Sequence, residues 1–254
     1  MEEENRYLIK SLIKAFNVLE LVVKNEKMSI SEINDITKLG KSTIHRLLST
    51  FKDMNYIDQN KEDNTYFATI KIFELGNSVT NKMPIKNIAK PYLQKLYEEC
   101  NETVNLGVII GDDIIYLDKI MTKEPLRIDL EIGKKVPVYC SSLGKSMLAF
   151  SNSMNLNTIK FEKFTNKTIS NKKDLIKELE SIKENGYAFD DEEYIEYLSC
   201  ISVPIKNGEG IAIASISIAI PTIRLDEDKK QNFITLLKFY AKKIEEDMLN
   251  RYSI

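Results

Sequence analysis

The chain has a single histidine, His45, three cysteines and no tryptophan among its 254 residues. One histidine excludes His-rich metal clusters. It also leaves any Ser-His-Asp or Cys-His catalytic arrangement with one available base. Cys100, Cys140 and Cys200 are far apart and form no CxxC pair, which points to reduced thiols in a cytoplasmic protein. No apolar run approaches the roughly 18–20 residues that span a bilayer. The richest run, "IAIASISIAI" at 211–220, has the size of a strand. The first residues, "MEEENRYLIK", are acidic and do not read as a secretory signal. Internal repeats and low-complexity segments are lacking too.

What is present is a globular composition, 43% apolar and 29% charged with both signs interspersed. That suffices for one large domain or two modest ones. The net charge of −2 gives no sign of a nucleic-acid partner, but its distribution is uneven. Between Asn5 and Ile57, nine basic side chains stand against five acidic ones, a local excess of four, so the remainder carries −6. Such an excess fits a DNA face and equally an ordinary solvated surface.

Residues 7–25 read as an amphipathic helix, with Leu8, Leu12, Phe16, Leu19 and Val23 at three- to four-residue steps. Ser29 and Glu32 have the spacing of a capping box, and Ile33 and Ile36 supply the expected buried side of a short second helix. Thr37 to Gly40 is a tight connection, with Gly40 available for a positive φ. A third helix is expected from Lys41 to Asn55. Then "YIDQ", the turn "NKEDN" and "TYFATI" read as a hairpin. Helix, helix, turn, helix, hairpin is the order of a winged helix-turn-helix.

From Thr69 to Asn101 the pattern is helical, interrupted near Pro84, with Pro91 as a kink or a boundary. After Thr103 the period becomes strand-like. "TVNLGVIIG" and "DIIYLDKI" flank a Gly111-Asp112 turn, and a further strand is expected at Arg127–Leu130. "SLGKSMLAF" opens a helix, Leu175 to Asn185 is another, ending at Gly186, and Asp226 to Arg251 closes the chain. "CISVPI" and "GIAIASISIAI" form a last hairpin. The expected organisation is α+β: a winged helix-turn-helix over 1–70, a helical linker over 71–101 and a domain of antiparallel sheet and helices over 102–254.

Two segments read "LGKS", at 39–42 and 143–146, and invite a phosphate-binding P-loop. That motif needs a glycine five residues upstream of its second glycine, where the backbone wraps the phosphates. Here those positions hold Asp35 and Tyr139, which repel or crowd a phosphate. The first copy also follows a helix, not a buried strand. Ile44, Leu47, Leu48 and Phe51 share one arc of the third helix, the core side. The opposite face carries Ser42, Arg46 and Ser49, flanked by Thr43, His45 and Thr50. Such short polar side chains around one arginine suit base edges in a major groove, and Lys41 reaches phosphate. With Ser31 from the second helix, the candidate DNA-facing residues are Ser31, Lys41, Ser42, Thr43, His45, Arg46 and Ser49. "FDDEEYIE" at 189–196 pairs carboxylates in the manner of a hydrolase or metal site, but acidic runs are more often solvated loops. No catalytic, metal or cofactor residue is assigned.

The ordered blocks "SLIKAFNVLELV", "ISEINDITKLGKSTIHRLLSTF", "FELG", "AKPYLQKL", "ETVNLGV", "GKKVPVYCSSLGKSMLAF", "NGYAFDDEEYIEYLSCISVPI" and "IAIASISIAIP" resemble the IclR family of bacterial transcriptional regulators over nearly the whole length. The resemblance implies a winged helix-turn-helix joined by a helix to a GAF-like effector-binding domain. It implies dimers or dimers of dimers on palindromic double-stranded operators, repression as the default output, and a small carboxylate effector. The effector pocket it implies is built from the turn Ser141, Ser142, Leu143 and Gly144, from Asp190 and Cys200, and from Ser217. Two departures stand out. Ala219 replaces a second hydroxyl residue, and Tyr197 stands where the family usually has glycine, so that its ring is expected to fill or reshape the pocket. A ligand sensor acting through a protein partner and a nucleotide-binding enzyme are the alternatives.

Overall fold

The computed structural model describes residues 7–128, 130–152 and 155–252. The chain divides into two compact units, one ending at Thr80 and the other beginning at Asn81.

In the first unit, α1 (Lys10–Lys24), α2 (Ile30–Thr37) and α3 (Lys41–Asp53) precede a hairpin of β1 (Ile57–Gln59) and β2 (Tyr66–Ala68), followed by α4 (Ile70–Thr80). The capping box forms as expected: Ser29 Oγ accepts from the Glu32 amide and the Glu32 carboxylate accepts from the Ser29 amide. The turn after α2 differs from expectation. Lys38, not Gly40, takes the left-handed conformation (φ 58°), and its amide donates to the Asn34 carbonyl. Gly40 has φ −59° and serves as the N-cap of α3.

The inward row of α2 is also corrected. Ile33 is buried with Ile30 and Thr37 beside it, while Ile36 is 59% exposed. At 100° per residue, positions 30, 33 and 37 share a face that 36 only borders. Val18, Leu19 and Val22 meet Ile33, Ile44, Leu48 and Phe51 in the core, closed by Met28, Ile57 and Tyr66. Met28 and Tyr66 exchange backbone hydrogen bonds of 2.9 and 2.7 Å, which ties the hairpin to the turn before α2. Leu8, Leu12, Phe16 and Val23, part of the stripe read from the sequence, stay exposed.

The second unit opens with α5 (Pro84–Cys100), which continues through Pro91. Burial of Ile88, Leu93 and Leu96 on either side holds it against the lost backbone bond. A six-stranded antiparallel sheet follows, in the spatial order β5 (Lys135–Pro137), β4 (Asp113–Ile120), β3 (Thr103–Ile110), β8 (Ala212–Pro221), β7 (Leu198–Lys206) and β6 (Ala188–Asp191). Between these strands lie α6 (Ser142–Ala149) and α7 (Lys172–Asn185), and α8 (Glu227–Tyr252) ends the fold. The strand expected at Arg127–Leu130 is absent: Arg127, Ile128 and Leu130 have no strand conformation, and position 129 lies outside the described residues. Side chains satisfy this segment instead, with Arg224 Nη1 donating to the Leu126 carbonyl and Lys119 Nζ to that of Leu130. The acidic run holds an unexpected strand, β6.

The sheet's two faces differ in chemistry, through the period of two. Val104, Leu106, Ile201, Val203, Ile205, Ile216, Ile218 and Ile220 enter an apolar core with α5 and α8. The alternate residues Thr103, Asn105, Cys200, Ser202, Ser215 and Ser217 are buried on the other side. There the ring of contacts includes α6, whose Ser146 Oγ lies 2.7 Å from Ser215 Oγ.

Candidate DNA-facing helix and effector site

All seven residues expected to face DNA are exposed. Six lie on α3, with Ser42, Arg46 and Ser49 opposite Ile44, Leu48 and Phe51, and Ser31 joins them through a hydrogen bond of 3.2 Å from Lys41 Nζ to its Oγ. Leu47, expected on the core side, is half-buried. The far end of the same helix face borders a groove of about 540 Å³ lined by His45, Ser49 and Lys52 of α3 and by Gln59 of β1. Lys52 Nζ stands 3.5 Å from Gln59 Oε1 and 3.6 Å from Asp58 Oδ1. Sequence reasoning did not single out Lys52 or Gln59, because their proximity depends on the return of the hairpin. Arg6, counted with the basic residues, lies outside the described residues.

The second candidate site starts at α6. Ser141 is its N-cap: Oγ accepts from the Gly144 amide at 3.1 Å, and its carbonyl accepts from the Lys145 amide at 2.9 Å. The next amides, of Ser142 and Leu143, belong to the first turn, which has no intrahelical acceptors to offer. Gly144 has to be glycine, since a Cβ there would collide with the Val138 backbone. Every side chain of α6 is buried.

Asp190 and Cys200, ten apart in sequence, are paired residues on β6 and β7, and Ala219 lies next in the same row. The adjoining row runs Ala188, Ser202, Ser217, Asn105, and Asn105 Nδ2 donates to Ser217 Oγ at 3.2 Å. Asp190 Oδ1 accepts from the Glu193 amide at 2.8 Å. Burial, with the Glu193 carboxylate adding repulsion and Lys145 opposing both, pushes the Asp190 carboxyl up to about 7. Burial likewise pushes the Cys200 and Cys140 thiols and the Tyr116 phenol upward, so all three stay neutral; Asp190 adds to each.

The acidic run is therefore not the solvated loop that its composition implies. Asp190 and Glu193 are buried, and Lys145 explains why. Its fully buried ammonium donates to Glu178 Oε1 at 2.9 Å, to the Phe189 carbonyl at 2.7 Å and to Glu193 Oε1. The second "GKS" lysine is thus enclosed by protein acceptors, which disposes of its P-loop reading.

Tyr197 has φ 64°, and its side chain is 74% exposed. A left-handed backbone is where glycine is favoured. The ring turns outward, so of the two expected effects it does not fill the interior. Among the described residues, no group of His, Cys, Asp and Glu is placed to hold a metal ion, and no helix is long and apolar enough to cross a membrane.

With this geometry in hand, comparison with known proteins is decisive. Residues 11–61 match the IclR helix-turn-helix domain, and residues 77–246 match the C-terminal region of the bacterial transcriptional regulator IclR. The chain belongs to the IclR family. The HTH-type transcriptional regulator KdgR of Escherichia coli strain K12 is 32% identical over 244 residues, covering 94% of this chain and 93% of that protein. The transcriptional repressor IclR of the same strain is 28% identical, over 93% of this chain and 89% of that one. The crystal structure of Thermotoga maritima IclR superposes with a TM-score of 0.76 at 29% identity, covering 95% and 99% of the two chains. As an IclR-family member the chain is a DNA-binding transcriptional regulator, not an enzyme, with an N-terminal helix-turn-helix and a C-terminal α+β domain.

Proposed function

We propose that this protein is a cytoplasmic repressor whose binding to a palindromic operator is controlled by a small carboxylate effector. Arg46, Ser42, Thr43, His45 and Ser49 read bases, while Lys41 and Ser31 hold phosphate. The effector's carboxylate sits on the Ser142 and Leu143 amides at the start of α6, within a site walled by Ser141, Gly144, Asp190, Cys200 and Ser217. The single observation that supports this best is the pairing of Asp190 with Cys200 on the polar, buried face of the sheet that α6 covers. A polar interior is costly where its groups lack hydrogen-bond partners, and Ser202 Oγ on this face has none.

The protein acts as a dimer or dimer of dimers. The support is exposed apolar surface on the DNA-binding unit: Leu8 just before α1, Leu12 and Phe16 along it, and Ile70, Phe73 and Val79 on α4, all at least half exposed. Two such units place two α3 helices in successive major grooves, about 34 Å apart. Effector and operator affinities are then coupled through two arrangements of the dimer.

Mobility shifts on the DNA upstream of the gene, with and without small carboxylates, test the reading. Arg46→Ala is expected to cost about 1–3 kcal/mol of operator affinity and to relax base preference at one position. Unaltered affinity and preference would remove Arg46 from the reading set. A regulator that shifts no DNA at low salt would point instead to action through a protein partner.

A further inference from the structure

Two buried side-chain oxygens among the described residues have no hydrogen-bond partner, Glu193 Oε2 and Ser202 Oγ. Both adjoin residues of the candidate effector site. Ser202 is fully buried, two residues along β7 from Cys200 and so on the same face of the sheet. Glu193 is 6% exposed, lies within electrostatic reach of both Cys140 and Cys200, and gives its amide to Asp190. Its other oxygen, Oε1, is taken by Lys145. Orphaned buried acceptors are uncommon in folded proteins and call for an explanation. An aliphatic or simple keto acid leaves Glu193 Oε2 without a partner, since its carbonyl and carboxylate only accept.

We infer that Glu193 and Ser202 select the effector, and that the effector is a small acid carrying at least one hydroxyl group, which donates to Glu193 Oε2 while its carboxylate lies on the first turn of α6. This rests on the proposed effector site. A hydroxyl fits better than an ammonium, because the Lys145 ammonium already stands at Glu193 and repels a second cation. Ser202, whose hydroxyl both donates and accepts, suits an alcohol on either count. Ala219 is consistent with the same division of labour: the sheet contributes fewer hydroxyls and the ligand more.

Isothermal calorimetry on the 254-residue chain tests this with pairs of equal charge and similar size: lactate and glycerate, each against pyruvate. The hydroxy member of each pair is expected to bind about tenfold tighter, as one hydrogen bond to a charged acceptor provides. Glu193→Gln, which puts an amide donor at the site, should bring that ratio close to one. Because this variant also removes one of the two carboxylates at the buried Lys145, Ser202→Ala serves as the second variant, with a smaller narrowing of the ratio in a protein of native thermal stability. Keto acids that bind as tightly as their hydroxy partners, or a ratio that both variants leave intact, overturn the inference and leave the carboxylate site standing. Orphan oxygens merely hydrated by a trapped water would give that result. If no acid of either kind binds, the effector reading itself falls with it.

Discussion

Asp190 shows how far a residue's chemistry departs from its sequence context. It stands in a run of five acidic residues within seven positions, yet it is buried and keeps its proton up to about pH 7. Its folded-state affinity for the proton exceeds that of the unfolded chain. The protonated form thus contributes stability that is complete below about pH 4 and is lost as pH rises through 7. Asp190→Asn retains an acceptor for the Glu193 amide and has no charge to bury. Thermal melts between pH 4 and 8 are expected to show the variant gaining on the parent protein as pH rises, with the two converging near pH 4. A constant difference across that range would argue against a buried, protonating Asp190. Asp190, Cys200, Ser141 and Gly144 were legible in the sequence through motif order. Glu193 and Glu178 were not, because their partner Lys145 sits 48 and 33 positions away, and no local pattern announces a buried ammonium.

At the scale of elements, two helix ends were legible because their causes are local, while the turn after α2 was not. Ser29 with Glu32 opens α2, and Gly186 closes α7 in the left-handed conformation, whereas α7 begins at Lys172, before the expected Leu175, because Asn171 caps it. The misplaced strand at Arg127–Leu130 has an equally physical origin. Leu126, Ile128, Leu130 and Ile132 alternate as a strand would, but Arg224 and Lys119 bind this segment's carbonyls from outside. Arg224 is itself fixed by a two-point ion pair with Glu102, at 2.9 and 2.6 Å. Strand β6 escaped notice for the reverse reason: its charges masked a period of two that buries Ala188 and Asp190. The start of α6 offers a direct test of element packing. Gly144→Ala drives a methyl group into the Val138 backbone, and overpacking of this kind costs about 1–3 kcal/mol or more. Urea unfolding should register at least that loss. A fully stable variant would mean that α6 is free to lift away.

For the molecule as a whole, the division of labour follows the distribution of charge and apolar surface. The DNA-binding unit has its basic excess and its exposed α3 face, while Leu12 and Phe16 on α1 and Ile70, Phe73 and Val79 on α4 are exposed. The composition supplied the sum of these apolar residues but not their placement. Leu12 and Phe16 have helical spacing, and only the packing of Val18, Leu19 and Val22 against α3 turns them outward. Phe16→Glu combined with Phe73→Asp is expected to shift sedimentation toward the monomer and to weaken operator binding, since half-site contacts no longer add. A dimer that survives both changes would place the interface elsewhere.

The two-faced sheet carries a consequence for how a signal travels. On β8, Ser215 and Ser217 alternate with Ile216 and Ile218. A slip by one residue would press hydroxyls into the oily layer under α5 and α8 and turn isoleucines toward Asp190. Chemistry on both sides therefore forbids the strand to slide. On the proposed effector reading, a ligand seated among the hydroxyls would act on a plank that tilts or bows but does not shift its register, and α5, packed on the underside of that plank, would ride with it.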